Sequence, residues 1–209
     1  MTAFDPKTAR ARKQWDRMAG RYDRQISLWE HILFGDGRSW VCSQATGQVL
    51  EIAIGTGRNL PFYPTGVVLT GIELSPEMLK LAVERSRHAG VAADLQEGDA
   101  QELHFADSTF DTVVVTLALC SIPDDAAAVR EAYRVLKPGG RFLLLEHVAS
   151  PSRAVRAIQW LLERITLPLE GDHQTREPLR HLEASGFEIE KLERSKLGIV
   201  ERVVAGKPD

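Results

Sequence analysis

Apolar positions recur at three- and four-residue steps near the start of the chain, at Trp15, Met18, Tyr22, Ile26 and Trp29, until the run Phe34-Gly35-Asp36-Gly37 stops them. That period predicts helix over the first 34 residues. The pattern then shifts to short apolar runs at 48–54 and 67–73, of the kind found in parallel strands buried on both faces. A short helix broken by Pro61 and Pro64 separates them. Ser75-Pro76, a cap followed by proline at the first helical position, opens a helix to about His88. Further strands are predicted at 92–99, 110–118 and 141–148. Before the last of these, Val129, Ala132, Tyr133 and Leu136 mark a helical face that Pro138-Gly139-Gly140 ends.

The tail changes character. Residues 152–167 read as an amphipathic helix with Val155, Ile158, Leu161, Leu162 and Ile165 on one stripe, and a second helix over 175–185 is closed by Gly186. Phe187 and Ile189 alternate with Glu188 and Glu190, and a turn near Leu197-Gly198 precedes 199–206, which predicts an antiparallel hairpin. Alternating strands and helices predict a doubly wound α/β fold of the Rossmann-like kind, a seven-stranded, mostly parallel sheet closed by that hairpin. The expected organisation is one domain over 1–209: a helical cap (1–40), a ligand-binding core (41–150) and acceptor-side helices with the hairpin (151–209).

Composition narrows the class. The chain has 209 residues, 44% of them hydrophobic and 26% charged, which suits one soluble globular domain. Its formal net charge of -3 argues against a general nucleic-acid binder. Residues 1–24 nevertheless carry seven basic side chains against three acidic ones. Two readings stay open there, a solvated arginine-rich helix or a segment drawn peripherally to anionic lipid. Cys42 and Cys120 form neither a metal spacing nor a disulfide framework, so no metal is expected. With no apolar run of about 18 residues and no signal-peptide core, the expectation is a cytoplasmic protein.

Ligands of such sheets sit beyond the carboxyl ends of the strands. A dinucleotide turn, G-x-G-x-x-G, would need a third glycine at Leu60, so an oxidoreductase reading fails there. An acidic residue followed by G-x-G-x-G fits better, with Glu51, Gly55 and Gly57 in place and Ala53 where the first glycine would stand. Glu73 ends the second run, where a carboxylate can accept both hydroxyls of a free ribose. Asp99 and Ala100 end the third, where a side chain beside a backbone N–H can pair with adenine. Leu117, Ala118 and Leu119 are apolar enough to cover the other face of the base.

On these residues the chain resembles the class I methyltransferases that use S-adenosylmethionine (SAM), over roughly residues 22–205. The segments LEIAIGTGRN, GIELSPEML, GDAQELHFADSTFDTVV and EAYRVLKPGGRFLLLEH match family motifs in order and spacing. The resemblance implies SAM as cofactor, S-adenosylhomocysteine as product, and cofactor contacts at Tyr22, Glu51, Ala53, Gly55, Gly57, Glu73, Leu74, Asp99, Ala100 and Leu117. Ala53 and His104, which stands where the family commonly has proline, depart from the pattern. Candidate bases are Glu146, His147, Asp172 and His173. An amide-methylating N-P-P-Y signature is absent. TLALCSI, LLLEHV and EGDHQTREPLRHLEASGFE are similar to the group that includes bacterial phosphatidylethanolamine N-methyltransferases and animal thiol methyltransferases, quinone C-methyltransferases being more distant. The expected acceptor is small and lipophilic, attacked at N or S, with the stripe of 154–169 as its lid. A quinone carbon, a polar metabolite and a SAM-binding scaffold without activity are the alternatives.

Overall fold

A computed structural model describes residues 4–209, so residues 1–3 of the expected helical cap lie outside the described residues. Asp5 starts α1 (Pro6–Trp29) by accepting the Lys7 N–H at 2.8 Å, and Pro6 takes the first helical position. The helix runs through a π-type turn, Glu30–Phe34, and stops at Gly35 in the left-handed region. A six-residue helix that the pattern did not predict, α2 (Gly37–Cys42), follows. Then come β1 (Gln48–Ile52), a 3-10 turn (Leu60–Phe62), β2 (Val68–Glu73), α3 (Pro76–Ala89), β3 (Ala93–Glu97), β4 (Phe110–Thr116), α4 (Asp125–Val135) and β5 (Leu136–His147). The chain ends in α5 (Arg153–Glu170), α6 (Pro178–Ser185), β6 (Glu188–Ser195) and β7 (Val200–Gly206).

The sheet has the order β3-β2-β1-β4-β5-β7-β6. The first five strands are parallel, and β7 enters antiparallel between β5 and β6. Alternation along each strand builds one core on each face. Leu50, Ile52, Val113, Val115 and Leu144 pack with Val129 and Ala132 of α4 and Leu182 of α6. Val49, Val114, Leu143 and Leu145 pack with Val41 and Cys42 of α2 and Ala82 of α3. Strand order reverses between β1 and β4, so the loops after these two strands flank the crevice where such sheets hold ligands.

Two boundaries differ from the pattern. Pro138-Gly139-Gly140 does not end the helix: α4 stops at Val135, and β5 has already begun. Leu136 pairs with Phe110, and regular pairing resumes only at Arg141 and Thr112, because the Pro-Gly-Gly stretch bulges between them. The helix expected from 175 starts at Pro178, whose ring suits the first helical position.

Candidate active site

A cleft opens over the carboxyl ends of β1, β2, β3 and β4, lined by Ala53, Gly55, Glu73, Leu74, Asp99, Ala100 and Leu117 among others. The backbone there is bent into unusual shapes. Ala53 (φ 54°) and Leu117 (φ 53°) are left-handed although neither is glycine, as are Gly55 (φ 59°) and Gly57 (φ 77°). Such strain concentrates where a chain must present its backbone to a ligand. A Cβ built on Gly55 meets nothing within 4 Å, so that glycine leaves open space on the cleft side. Gly57 has a packing reason instead: its Cβ would fall 2.8 Å from Leu60 and 3.1 Å from Ala82.

The carboxylates occupy distinct positions. Glu73 is buried and accepts the backbone N–H groups of Gly55 and Ser75, each at 2.9 Å. Each oxygen keeps a second lone pair for a hydroxyl. Burial raises its pKa against the pull of those N–H donors. Asp99 accepts from the Gln101 backbone and side chain at 2.9 Å. Glu51 does not line the cleft. It is buried beneath the glycine loop, accepting from Asn59 Nδ2 and Tyr63 Oη at 2.8 Å each, and burial pushes its pKa up to about 7. Gly57 and Glu51 thus shape and support the loop that Ala53 and Gly55 present to the cleft.

Helix α1 forms the cover. Ala11, Trp15 and Tyr22 reach over the cleft from one face, with the two rings edge to face at 5.8 Å. Burial pushes the Tyr22 phenol up to about 12. A second face carries Asp16, Asp23 and Glu30, seven residues apart, and each binds the body of the protein. Ser75 Oγ donates to Asp16 at 2.6 Å, Thr56 Oγ1 donates to Asp23 at 2.6 Å, and Glu30 pairs with Arg38 and Arg58. The cleft beneath holds about 70 Å³ of void, space for a handful of waters. The α1 side chains therefore narrow the space open to a nucleoside. The donor set fits SAM, with two carboxylates for hydroxyl and amino groups and apolar walls at Ile72, Ala100 and Ile122 for the base.

Behind the loop 117–123 lies a second cluster. His147 ends β5, and its Nε2 stands 3.1 Å from Asp172 Oδ1. Burial would lower the His147 pKa, but the bond to Asp172 and the charges of Asp172, Glu146 and Glu163 outweigh it and raise the value. Burial likewise opposes ionisation of Asp172, and His147 overcomes it to hold that pKa low. Cys120 is buried beside them, its thiol pushed up by burial and by the neighbouring carboxylates. Cys120, His147 and Asp172 place one donor atom each within 4.8 Å of one another, a set that could hold a divalent cation only after the thiol ionises. Glu146 is a structural acceptor, taking the N–H groups of Ala118 and Leu119. His173 turns away to Glu163, with Nδ1 3.0 Å from Oε1, which separates it from the His147 pair. Neither His147, Asp172 nor His173 lines the cleft itself.

Sequence reasoning missed several members. Arg176 donates to the carbonyls of Leu119 and Ile122, fixing the loop that lines the cleft. Gln101 ties Asp99 to Thr8 of α1, 2.9 Å from its Oγ1. The seven-residue spacing of Asp16, Asp23 and Glu30 was the available signal for the α1 clamp.

The helix expected to be the acceptor's lid is inverted. Its polar residues face inward: Gln159 binds Ser150 and Val148, Glu163 binds His173 and Thr175, and Thr166 binds the Asp172 carbonyl. Ile158, Leu161, Leu162 and Ile165 are exposed. The stripe therefore faces outward and away from the cleft, because polar anchors hold the opposite face against the body.

A family model described as a methyltransferase domain matches residues 50–144, from β1 into β5. A phosphatidylethanolamine N-methyltransferase from Cereibacter sphaeroides is 38% identical over 120 residues, 56% of this chain and 59% of that protein. A human thiol S-methyltransferase is 31% identical over 177 residues, 82% of this chain and 72% of that protein. A ubiquinone/menaquinone biosynthesis C-methyltransferase from Desulfotalea psychrophila is 35% identical over 170 residues, 76% of this chain and 67% of that protein. The chain thus spans between 59% and 72% of the length of these relatives. In fold it is similar to a SAM-dependent methyltransferase from Thermotoga maritima, with a TM-score of 0.71 at 21% identity over 93% of this chain and 99% of that one.

Proposed function

Because the chain belongs to the class I SAM-dependent methyltransferases, we propose that it methylates a small, lipophilic acceptor at nitrogen or sulfur. SAM supplies an electrophilic methyl group when bound. The rest falls to this chain's residues: Glu73 and Asp99 orient the nucleoside, the loop 53–57 approaches its amino-acid end, and Tyr22 closes over it. Positioning of this kind supplies most of the rate in an in-line transfer.

One observation carries the choice of acceptor atom, the His147–Asp172 pair at 3.1 Å. An ammonium or thiol must lose a proton to attack, and a neutral imidazole held in one tautomer by a carboxylate is suited to take it. Asp172 then stabilises the imidazolium. Among the relatives, enzymes named for N- and S-methylation support this reading, and the lipid named in one of them supports a lipophilic acceptor. The C-methyltransferase relative favours a second reading, transfer to a quinone ring carbon.

Methyl-labelled SAM incubated with the protein and a cell extract, then partitioned between organic and aqueous phases, tests the proposal. Organic-phase label on N or S, identified by mass spectrometry, is expected. Label on ring carbon moves the assignment to the second reading. Label confined to the aqueous phase overturns the lipophilic acceptor, and SAM binding without any transfer leaves a scaffold.

A further inference from the structure

We propose that the outer faces of α1 and α5 form one docking surface for an anionic phospholipid bilayer, distinct from the cleft and independent of the acceptor's identity. Helix α5 is amphipathic in the wrong sense for a core helix. Its polar side is fastened to the body by Gln159, Glu163 and Thr166, and its apolar side faces outward. Ile158 (60% exposed), Leu162 (47%), Ile165 (57%) and Leu169 (68%) fall at steps of three and four residues along a single line. No helix among the described residues is long and apolar enough to cross a membrane, so a bilayer would meet this stripe from its surface.

The stripe runs into a field of positive charge. Leu169 and Pro168 line a groove of about 490 Å³ whose other wall is α1, with Arg10, Lys13, Arg17 and Arg21. Among the described residues, no carboxylate lines that groove. The reason lies in the α1 clamp: Asp16, Asp23 and Glu30 bind the protein body, leaving Arg10, Lys13, Arg17 and Arg21 on the outer face. Leu28, exposed at 63%, continues the line of Gln14, Arg17 and Arg21 toward the helix end. Cations flanking an exposed apolar stripe are the arrangement that places headgroup phosphates on one element and acyl chains on the next. A protein partner or a second copy would account for the apolar stripe but not for the four cations, Arg10, Lys13, Arg17 and Arg21, gathered along one wall of the groove beside it.

Co-sedimentation of the full chain with vesicles decides the matter. Binding to phosphatidylcholine mixed with phosphatidylglycerol, but not to phosphatidylcholine alone, is expected, and added salt should weaken it. Arg17→Glu/Arg21→Glu should lower partitioning by roughly tenfold or more. Ile165→Ser/Leu169→Ser should lower it by a similar factor at unchanged charge. Both pairs lie outside the cleft, so circular dichroism and SAM affinity should match the parent protein. Equal binding to both vesicle types, no binding by the parent, or full binding by either variant overturns the proposal. So does light scattering that shows a dimer which Ile165→Ser/Leu169→Ser converts to monomer.

Discussion

The cofactor cleft and helix α5 are built on opposite plans. At the cofactor end, Glu51 and Glu73 are withdrawn from solvent, every oxygen of both takes a hydrogen bond, and the loop between them is bent into left-handed geometry. On the far side, α5 keeps its polar residues inside and exposes its apolar ones. The first region spends stability on a fixed shape for one ligand; the second leaves a face free for partners outside the chain.

Substitutions can sharpen the contrast. The largest effect should follow Glu73→Ala, which removes the carboxylate proposed to accept the ribose hydroxyls and its bonds to the Gly55 and Ser75 N–H groups: SAM affinity measured by calorimetry should fall about 10³-fold, whereas Ile165→Ser should leave it unchanged. Next, His147→Gln should lower kcat by about 10² or more without altering KM for SAM, which steady-state kinetics would show. If kcat is unaffected, the pair is structural.

Stability should separate two glycines of one loop. Gly57→Ala places a Cβ against Leu60 and the Ala82 backbone at positive φ, and should destabilise by about 2–3 kcal/mol in denaturant unfolding. Gly55→Ala meets no neighbour and should cost about 1 kcal/mol, with weaker SAM binding as the added effect. In the opposite direction, Ala53→Gly should relieve left-handed strain and stabilise by about 1 kcal/mol or less.

The smallest signal is the pH dependence. The His147 pKa is raised above 6.5, and the base must be neutral, so the rate should climb with pH through a midpoint above that value. The pair's contribution to stability has the same origin. It is complete below 6.5, where the imidazole is protonated in both states, and is lost as pH rises through the raised value. His147→Gln should abolish that limb.

The sequence by itself determined the doubly wound sheet with its antiparallel hairpin, and it marked where Glu73, Asp99 and the glycine loop stand. These are local facts: a strand buried on both faces writes a continuous apolar run, and backbone that must turn left-handed selects small residues. Ala53 shows the limit of that reading, since its φ of 54° appears only in the folded chain. The tertiary structure decided the remainder. Periodicity located the stripe on α5 but was silent on which way it faced, because burial depends on partners such as Ser150, Val148 and Asp172 that lie in other segments. A net count of charge over 1–24 likewise hid the separation of Asp16 and Asp23 from Arg10, Arg17 and Arg21. Only packing against Ser75, Thr56 and Arg85 drew the acids inward and left the cations outside.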